Sequence, residues 1–141
     1  ADKVRLLGYQ PHATLIKEAY EHHLFLSPSV TEQDGATEGG APVSLVEMAA
    51  TGIFIVSSRH CDIPEVILDG QTGLLADERD VDGLYRCLLR AISETEKWPS
   101  MLASGRSRIE AEFNAAIQGV RLAELYESTV RDGTGKTQTG R

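Results

Sequence analysis

One stretch, residues 38–52, constrains the fold of this chain more than any other part of the sequence. The glycine pair Gly39-Gly40 leads into Pro42, an apolar run follows, and the stretch ends at Gly52. Proline suits the first position of a helix because its φ is fixed, and glycine is favoured at the left-handed residue that follows a helix. Continuous apolar runs, which are typical of buried parallel strands, flank the stretch at residues 24–27 and 53–58. The pattern predicts a loop and a helix from Pro42, between two strands of an α/β sheet.

The predicted start of this helix is a candidate anion site. The backbone N–H groups of Val43 and Ser44 would lie in the first turn, without a partner inside the helix and at the positive end of its dipole. Glu47 follows on the same helix face, where a carboxylate can accept hydrogen bonds from a ribose or another polyol. The alternative is an ordinary buried helix with two solvated glutamates, Glu38 and Glu47, because a glycine-rich loop alone is a weak signal. Its place at the carboxyl end of a strand, where α/β sheets bind ligands, favours the binding site.

The rest of the chain alternates predicted strands and helices and then becomes helical. We predict a strand at residues 4–8, a helix at 12–22 and a last short strand at 73–76. This alternation predicts right-handed βαβ units and a parallel sheet flanked by helices, which is a Rossmann-like α/β fold with a helical C-terminal portion. Three helices are predicted from Asp80 onward, at residues 80–94, 98–113 and 114–130. Residues 131–141 are polar and glycine-rich, which predicts a disordered tail.

Composition narrows the classes of partner. The 141 residues suffice for one domain with its own core, and the net charge of −7 argues against a nucleic-acid surface. A nucleotide held by a loop and a few backbone amides stays compatible with that charge. Two cysteines, Cys61 and Cys87, form no CxxC pair and are predicted to be free thiols in a reducing compartment. No run approaches the roughly 18 apolar residues of a membrane span, so a cytoplasmic protein is expected, with peripheral attachment to a membrane left open.

Two other candidate sites are weaker. Loop 28–41 carries acidic residues, but their spacing matches no calcium loop, so no metal site is predicted. His60 beside Cys61 suggests a base and a nucleophile. Adjacent residues rarely point toward each other correctly, and the sequence shows no third member for such a pair. We therefore do not predict a nucleophile–base pair at these two residues.

Several motifs, taken in order, resemble those of retaining glycosyltransferases with the GT-B fold, of the GT4 type. They extend over about residues 4–127 and recur in the family's order and register. The matching residues are Gly8, Pro28-Ser29, Glu38-Gly39, Ala41-Pro42-Val43, Leu45-Val46-Glu47-Met48-Ala49, Gly52, Ile63-Pro64-Glu65-Val66, Asp69-Gly70 and Thr72-Gly73-Leu74-Leu75.

The resemblance implies a donor-binding role for this chain. That family transfers a hexosyl group, with retention, from a nucleotide sugar to a saccharide, lipid or small-molecule acceptor, and it uses no further cofactor. Its active site lies between two Rossmann-like domains, of which the C-terminal one binds the donor. Glu38 resembles the catalytic acidic residue beside the transferred sugar. The implied donor-binding residues are Glu47 for the ribose, Gly39, Gly40, Ala41, Val43 and Ser44 for the diphosphate and sugar, and Gly8, Tyr9 and Gln10 for the nucleobase.

The chain departs from the family pattern in two places. Eight residues, 39–46, separate Glu38 from Glu47, one more than in the family, so Glu38 is expected to be displaced. The extra residue falls in the glycine pair, and if Gly39 is the insertion, Gly40 is expected to matter more for the diphosphate. The family domain also begins with two further strands and a helix, which carry an Arg and a Lys for the diphosphate, and no residue here matches them.

These departures predict a partial domain. Residues 1–130 would be most of the C-terminal domain of a longer enzyme, inactive without its N-terminal acceptor domain. The exposed sheet edge expected at Val4–Leu7 predicts pairing, including homo-oligomers. A non-catalytic binding or interaction module built on the same sheet is the alternative. An epimerase is disfavoured because no GxGxxG loop occurs early in the chain.

Overall fold

The computed structural model describes residues 3–37 and 39–134, which form a three-stranded parallel sheet between layers of helices. The strands are β1 (Leu24–Ser27), β2 (Phe54–Ser58) and β3 (Leu74–Ala76), in the spatial order β1-β2-β3. The helices are α1 (His12–Glu21), α2 (Val43–Thr51), α3 (Ile63–Val66), α4 (Val81–Ser93), α5 (Trp98–Glu112) and α6 (Ala115–Thr134), with a 3-10 turn at Thr95–Lys97. Parallel pairing with a helix between successive strands confirms the predicted α/β class.

Consecutive residues of β2 and β3 are buried because both faces of the sheet are covered there. Neighbouring residues of a strand face opposite sides. Ile55 and Leu75 pack into one core with residues of α1, α2, α3 and α5. Phe54, Val56 and Leu74 pack into a second core with residues of α4 and α5. Since all three strands are parallel, their carboxyl ends lie at the same end of the sheet, beside the fully buried β2.

Residues 4–8, predicted as a strand, form none. The side chains of Val4 and Leu6 are 76% and 92% exposed, and no described strand pairs with this segment. A strand is held by the N–H and C=O groups of a neighbour, so an apolar run without a neighbour stays irregular. The expected sheet edge at Val4–Leu7 is therefore wrong. Among the described residues, the edges of the sheet are β1 and β3.

The helix boundaries depend on capping. Pro42, with ψ of 133°, is the N-cap of α2 and not its first helical residue. Gly52, with φ of 80°, ends α2 as predicted, and the Asp80 carboxylate accepts a hydrogen bond from Gly83 N–H at 2.7 Å at the start of α4. The sequence pattern does not indicate α3, because a helix of one turn leaves no apolar periodicity.

The last helix is longer than the pattern predicts. It continues to Thr134, into the segment predicted to be a disordered tail, while residues 135–141 lie outside the described residues. Within the part of the chain that the structure describes, no helix has the length and apolar character needed to cross a membrane.

Candidate functional site

The N-terminus of α2 has a proline as its N-cap residue. Pro42 offers no side-chain hydrogen bond, and the first helix-type bond runs from Leu45 N–H to Pro42 O at 2.9 Å. The N–H groups of Val43 and Ser44 precede that bond, in the turn where an α-helix has no internal acceptors. The Val43 side chain is 71% exposed, so this turn faces outward. Within the described part of the chain no acceptor takes these two N–H groups, and together with the helix dipole they suit an anion.

The glycine loop before α2 differs in detail from its prediction. Gly39 has φ of +72° and its N–H donates to Thr37 Oγ1 at 3.1 Å, whereas Gly40 lies outside the left-handed region. A Cβ added at Gly40 would lie 3.6 Å from an Asp62 carboxylate oxygen, so this loop lies beside the start of α3. The residue that needs glycine for its backbone is therefore Gly39. Glu38, the predicted catalytic residue, lies outside the described residues.

Glu47 has a partner that the sequence does not indicate. His12, the first residue of α1, places Nε2 at 2.9 Å from Glu47 Oε1, across 35 positions of the chain. The side chains are 64% and 32% exposed respectively, so the pair borders solvent. Among the described residues nothing hydrogen-bonds Glu47 Oε2. One carboxylate oxygen is thus held by His12 while the other stays available for a ligand hydroxyl.

The predicted nucleobase turn leads directly into this pair. Gly8 has φ of +62°, and Gln10 Nε2–H donates to Leu7 O at 2.6 Å, which closes the turn before α1 begins. The Tyr9 side chain is fully exposed. The structure therefore brings the chain that follows this turn to the first turns of α2, through the contact between His12 and Glu47.

A second cluster lies at the ends of β2 and β3. His60 is fully buried, with Nδ1 at 2.8 Å from Glu78 Oε1 and Nε2 at 3.3 Å from Cys61 Sγ. The expectation of a poor mutual orientation is wrong for His60 and Cys61, and the third group is Glu78, which follows β3 and lies on no helix. Glu78 is 18 positions away, and only the parallel alignment of β2 and β3 brings it to His60.

Loop 28–41 is anchored to the same strand ends. Thr31 N–H donates to Glu78 Oε2 at 2.8 Å, and Ser58 Oγ–H donates to Ser29 O. The Thr31 amide and then His60 lower the pKa of the Glu78 carboxyl below its ordinary value. An ionised Glu78 consequently holds both the loop and the His60 ring.

Comparison with known proteins identifies the family. The model of the family described as glycosyl transferases group 1 matches residues 1–94. The chain is 41% identical over 127 residues to the amylovoran biosynthesis glycosyltransferase AmsK of Erwinia amylovora, covering 89% of this chain and 31% of that protein. The chain belongs to the glycosyl transferases group 1 family.

A second relative and a solved structure are also similar to this chain. WcaL of Escherichia coli K12, named as a candidate colanic acid biosynthesis glycosyltransferase, is 33% identical over 129 residues, covering 90% of this chain and 31% of that protein. A sucrose-phosphate synthase from Thermosynechococcus elongatus matches 94% of this chain and 31% of its own, with a TM-score of 0.78 and 20% identity. The latter shows the fold alone and confirms the GT-B, Rossmann-like prediction. This chain of the glycosyl transferases group 1 family spans about a third of the length of these relatives.

Proposed function

We propose that this chain is the donor-binding part of a retaining glycosyltransferase that transfers a hexosyl group from a nucleotide sugar to an acceptor. One observation carries the proposal. In a chain of this family, a partly exposed Glu47 lies one turn below a helix N-terminus that no side chain of the described residues caps. A diphosphate offers anionic oxygens that suit the amides at the N-terminus of α2. The ribose attached to it offers hydroxyls that suit the Glu47 carboxylate one turn further along.

Each residue of the site has a distinct part in this proposal. The N–H groups of Ala41, Val43 and Ser44 hold the diphosphate, and Glu47 accepts hydrogen bonds from the ribose hydroxyls. When the bond between the anomeric carbon and the diphosphate oxygen breaks, negative charge grows on that oxygen. Preorganised amides and the helix dipole stabilise such charge without needing to reorganise. His12 orients Glu47.

The remaining predicted residues are assigned to the same donor site. The Gly39-Gly40 loop lets backbone approach the diphosphate, and the turn at Gly8, Tyr9 and Gln10 lies against the nucleobase. Glu38 is the acidic residue beside the transferred sugar. No cofactor other than the donor itself is required by these roles.

We propose a saccharide as the first acceptor class to test. Two relatives are named for the biosynthesis of amylovoran and colanic acid. A relative from Corynebacterium glutamicum, 27% identical over 131 residues, is named as a GDP-mannose-dependent mannosyltransferase that acts on a phosphatidylinositol monomannoside. A lipid-linked acceptor is the second class, and it would place the enzyme at a membrane surface. The acceptor domain and a homo-oligomeric contact at an edge strand of the sheet, β1 or β3, belong to this proposal as partners.

A thermal-shift panel tests the donor proposal. The full-length protein is heated with UDP, GDP and ADP and with their sugar conjugates, and inorganic diphosphate is the control for anion binding alone. At a ligand concentration of about 100 times Kd, the stabilisation is about 2.7 kcal/mol. One nucleotide series should raise Tm clearly more than diphosphate does. Equal shifts with diphosphate and all nucleotides, or no shift with any, would contradict nucleotide-sugar binding.

The loop geometry predicts a difference between its two glycines. Alanine at Gly39 must adopt φ of +72°, which costs about 1–2 kcal/mol, so the loop should move and turnover should fall about tenfold. Alanine at Gly40 has room and an ordinary φ, so its effect should be smaller, which reverses the order expected from sequence. Steady-state kinetics of both variants in the full-length protein measure this difference.

The matched control for Gly39→Ala is Gly35→Ala. Gly35 has φ of +86° and open space around it, in the tight turn that Glu32 and Ala36 close earlier in the same loop. The Gly35→Ala variant therefore introduces similar backbone strain at a position away from α2. If Gly35→Ala reduced kcat/KM as much as Gly39→Ala, the effect would reflect general loop strain and not the diphosphate.

A further inference from the structure

The cluster of Cys61, His60 and Glu78 has the connectivity of a nucleophile, a base and an orienting acid. Cys61 Sγ lies 3.3 Å from His60 Nε2, and Glu78 Oε1 lies 2.8 Å from His60 Nδ1. The donor site proposed at α2 uses none of these three groups. An exposed thiol beside a fully buried imidazole therefore needs its own explanation.

The contacts assign the proton positions on His60. An ionised carboxylate can only accept hydrogen bonds, and the pKa of Glu78 is lowered by the Thr31 amide and by His60. Nδ1 must therefore carry the hydrogen that Glu78 accepts. In the neutral ring, Nε2 then presents its lone pair, and the group facing it is the Cys61 thiol. His60 is placed to receive the proton of that thiol.

The backbone holds this geometry. Cys61 has φ of 43°, which is uncommon for a residue with a side chain, and it breaks the alternation of extended chain directly after β2. The Cys61 side chain thereby lies on the same side as the ring of its own neighbour. Arg59, the nearby cation along the chain, pairs with Asp69 at 2.6 Å and with Asp77 at 3.4 Å. Arg59 is thus held by two carboxylates, and the base in contact with the thiol is His60.

We propose that Cys61 is a reactive thiol and a site of reversible thiol–disulfide exchange with a low-molecular-weight disulfide. His60 Nε2 takes the thiol proton, and the thiolate attacks one sulfur of the disulfide. A new bond forms between Cys61 Sγ and that sulfur while the original S–S bond breaks. The departing thiolate receives from His60 the proton that came from Cys61, so the products are a mixed disulfide and one small thiol. The sulfur of Cys61 is oxidised and the departing sulfur is reduced.

The other cysteine provides an internal comparison. Cys87 is partly buried on α4, and burial, followed by the nearby Asp69 carboxylate, raises the pKa of its thiol. No described imidazole contacts it. A neutral, shielded thiol exchanges slowly, so Cys87 is expected to stay reduced under conditions that modify Cys61.

Modification of Cys61 has a consequence for the donor site, and this part rests on the proposed function. Asp62, the next residue, lies against Gly40 of the loop that leads into α2. A bulky group on Cys61 Sγ is expected to shift the neighbouring Asp62 and, through it, that loop. Exchange at Cys61 is therefore expected to weaken nucleotide-sugar binding and to be reversed by a reducing thiol.

Exchange rates test the proposal directly. The full-length protein is incubated with glutathione disulfide, and mass spectrometry of peptides follows the adducts at Cys61 and Cys87 separately. The reference is a free peptide of residues 57–65, which keeps the local sequence but lacks Glu78. Base assistance should make Cys61 in the protein react at least about tenfold faster than the peptide and faster than Cys87. A rate equal to that of the peptide would overturn the proposal.

Two variants separate the parts of the cluster. Glu78→Gln keeps the side-chain shape but removes the charge that supports a protonated His60, so it should slow exchange at Cys61 and leave Cys87 unchanged. His60→Gln should slow it further, and a melting curve shows whether this buried change leaves the fold intact. If the His60→Gln variant does not fold, the exchange rate of Glu78→Gln is the test. An unchanged exchange rate at Cys61 in Glu78→Gln would overturn the role of the cluster.

Calorimetric titration with the nucleotide sugar separates the two proposals. Loss of affinity in the modified protein, restored by reduction, supports control of the donor site by Cys61. Rapid exchange with unchanged affinity would overturn that control and leave the donor site standing. Absence of nucleotide-sugar binding in the fully reduced protein would overturn the proposed function and leave the exchange result intact.

Discussion

Replacing Glu47 with glutamine in the full-length protein is expected to weaken nucleotide-sugar binding by about 1.5–3 kcal/mol, or roughly 10- to 150-fold in Kd. The change removes the charge from the acceptor proposed for the ribose hydroxyls and keeps its shape. Stability should change little, because the Glu47 side chain lies at the surface of α2 and not in either core. Isothermal titration calorimetry with the nucleotide selected by the thermal-shift panel measures this effect.

The contact between His12 and Glu47 sharpens this experiment. If His12 only orients the carboxylate, His12→Ala should weaken binding less than Glu47→Gln does, and the double variant should be no worse than Glu47→Gln alone. Glu124→Gln, an exposed position on α6, repeats the same loss of charge away from α2. Unchanged affinity in Glu47→Gln, or an equal loss in Glu124→Gln, would rule out the ribose role.

Replacing Trp98 with alanine is expected to lower the free energy of unfolding by about 3 kcal/mol. The Trp98 ring stacks on Phe54 of β2, with centroids 4.9 Å apart, and its Nε1–H donates to Ala91 O of α4 at 2.9 Å. One side chain thus joins the start of α5 to the sheet and to α4. Alanine would leave a cavity against Phe54 and remove a donor from a buried part of α4. Chemical denaturation of the folded protein gives the difference.

Trp98→Phe is the matched control for this prediction. Phenylalanine keeps most of the stacking on Phe54 but has no N–H for Ala91 O, so it should cost about 1 kcal/mol. The difference between the two variants isolates the aromatic packing. A Trp98→Ala variant as stable as Trp98→Phe would show that the stacking contributes nothing measurable.

Elements defined by local signals could be predicted from sequence. The apolar run of β1 was sufficient for its bounds, and Asp80 and Gly52 marked helix ends because capping depends on residues within one turn. The glycine loop before α2 also identified the candidate anion site and Glu47, since residues three and four apart share a helix face whatever the rest of the chain does.

What the sequence alone determined is therefore the elements with strong local signals, such as β1, β2 and α4, and what only the tertiary structure decided is how they meet. Residues 4–8 have the composition of a strand but no neighbour to pair with, so strand propensity was not enough. His12 meets Glu47, and Glu78 meets His60, across 35 and 18 positions. Such contacts follow from the packing of α1 on α2 and from the alignment of β2 with β3. The physical reason is that helix and strand signals act over a few residues, whereas side chains that share a site are brought together by the whole sheet.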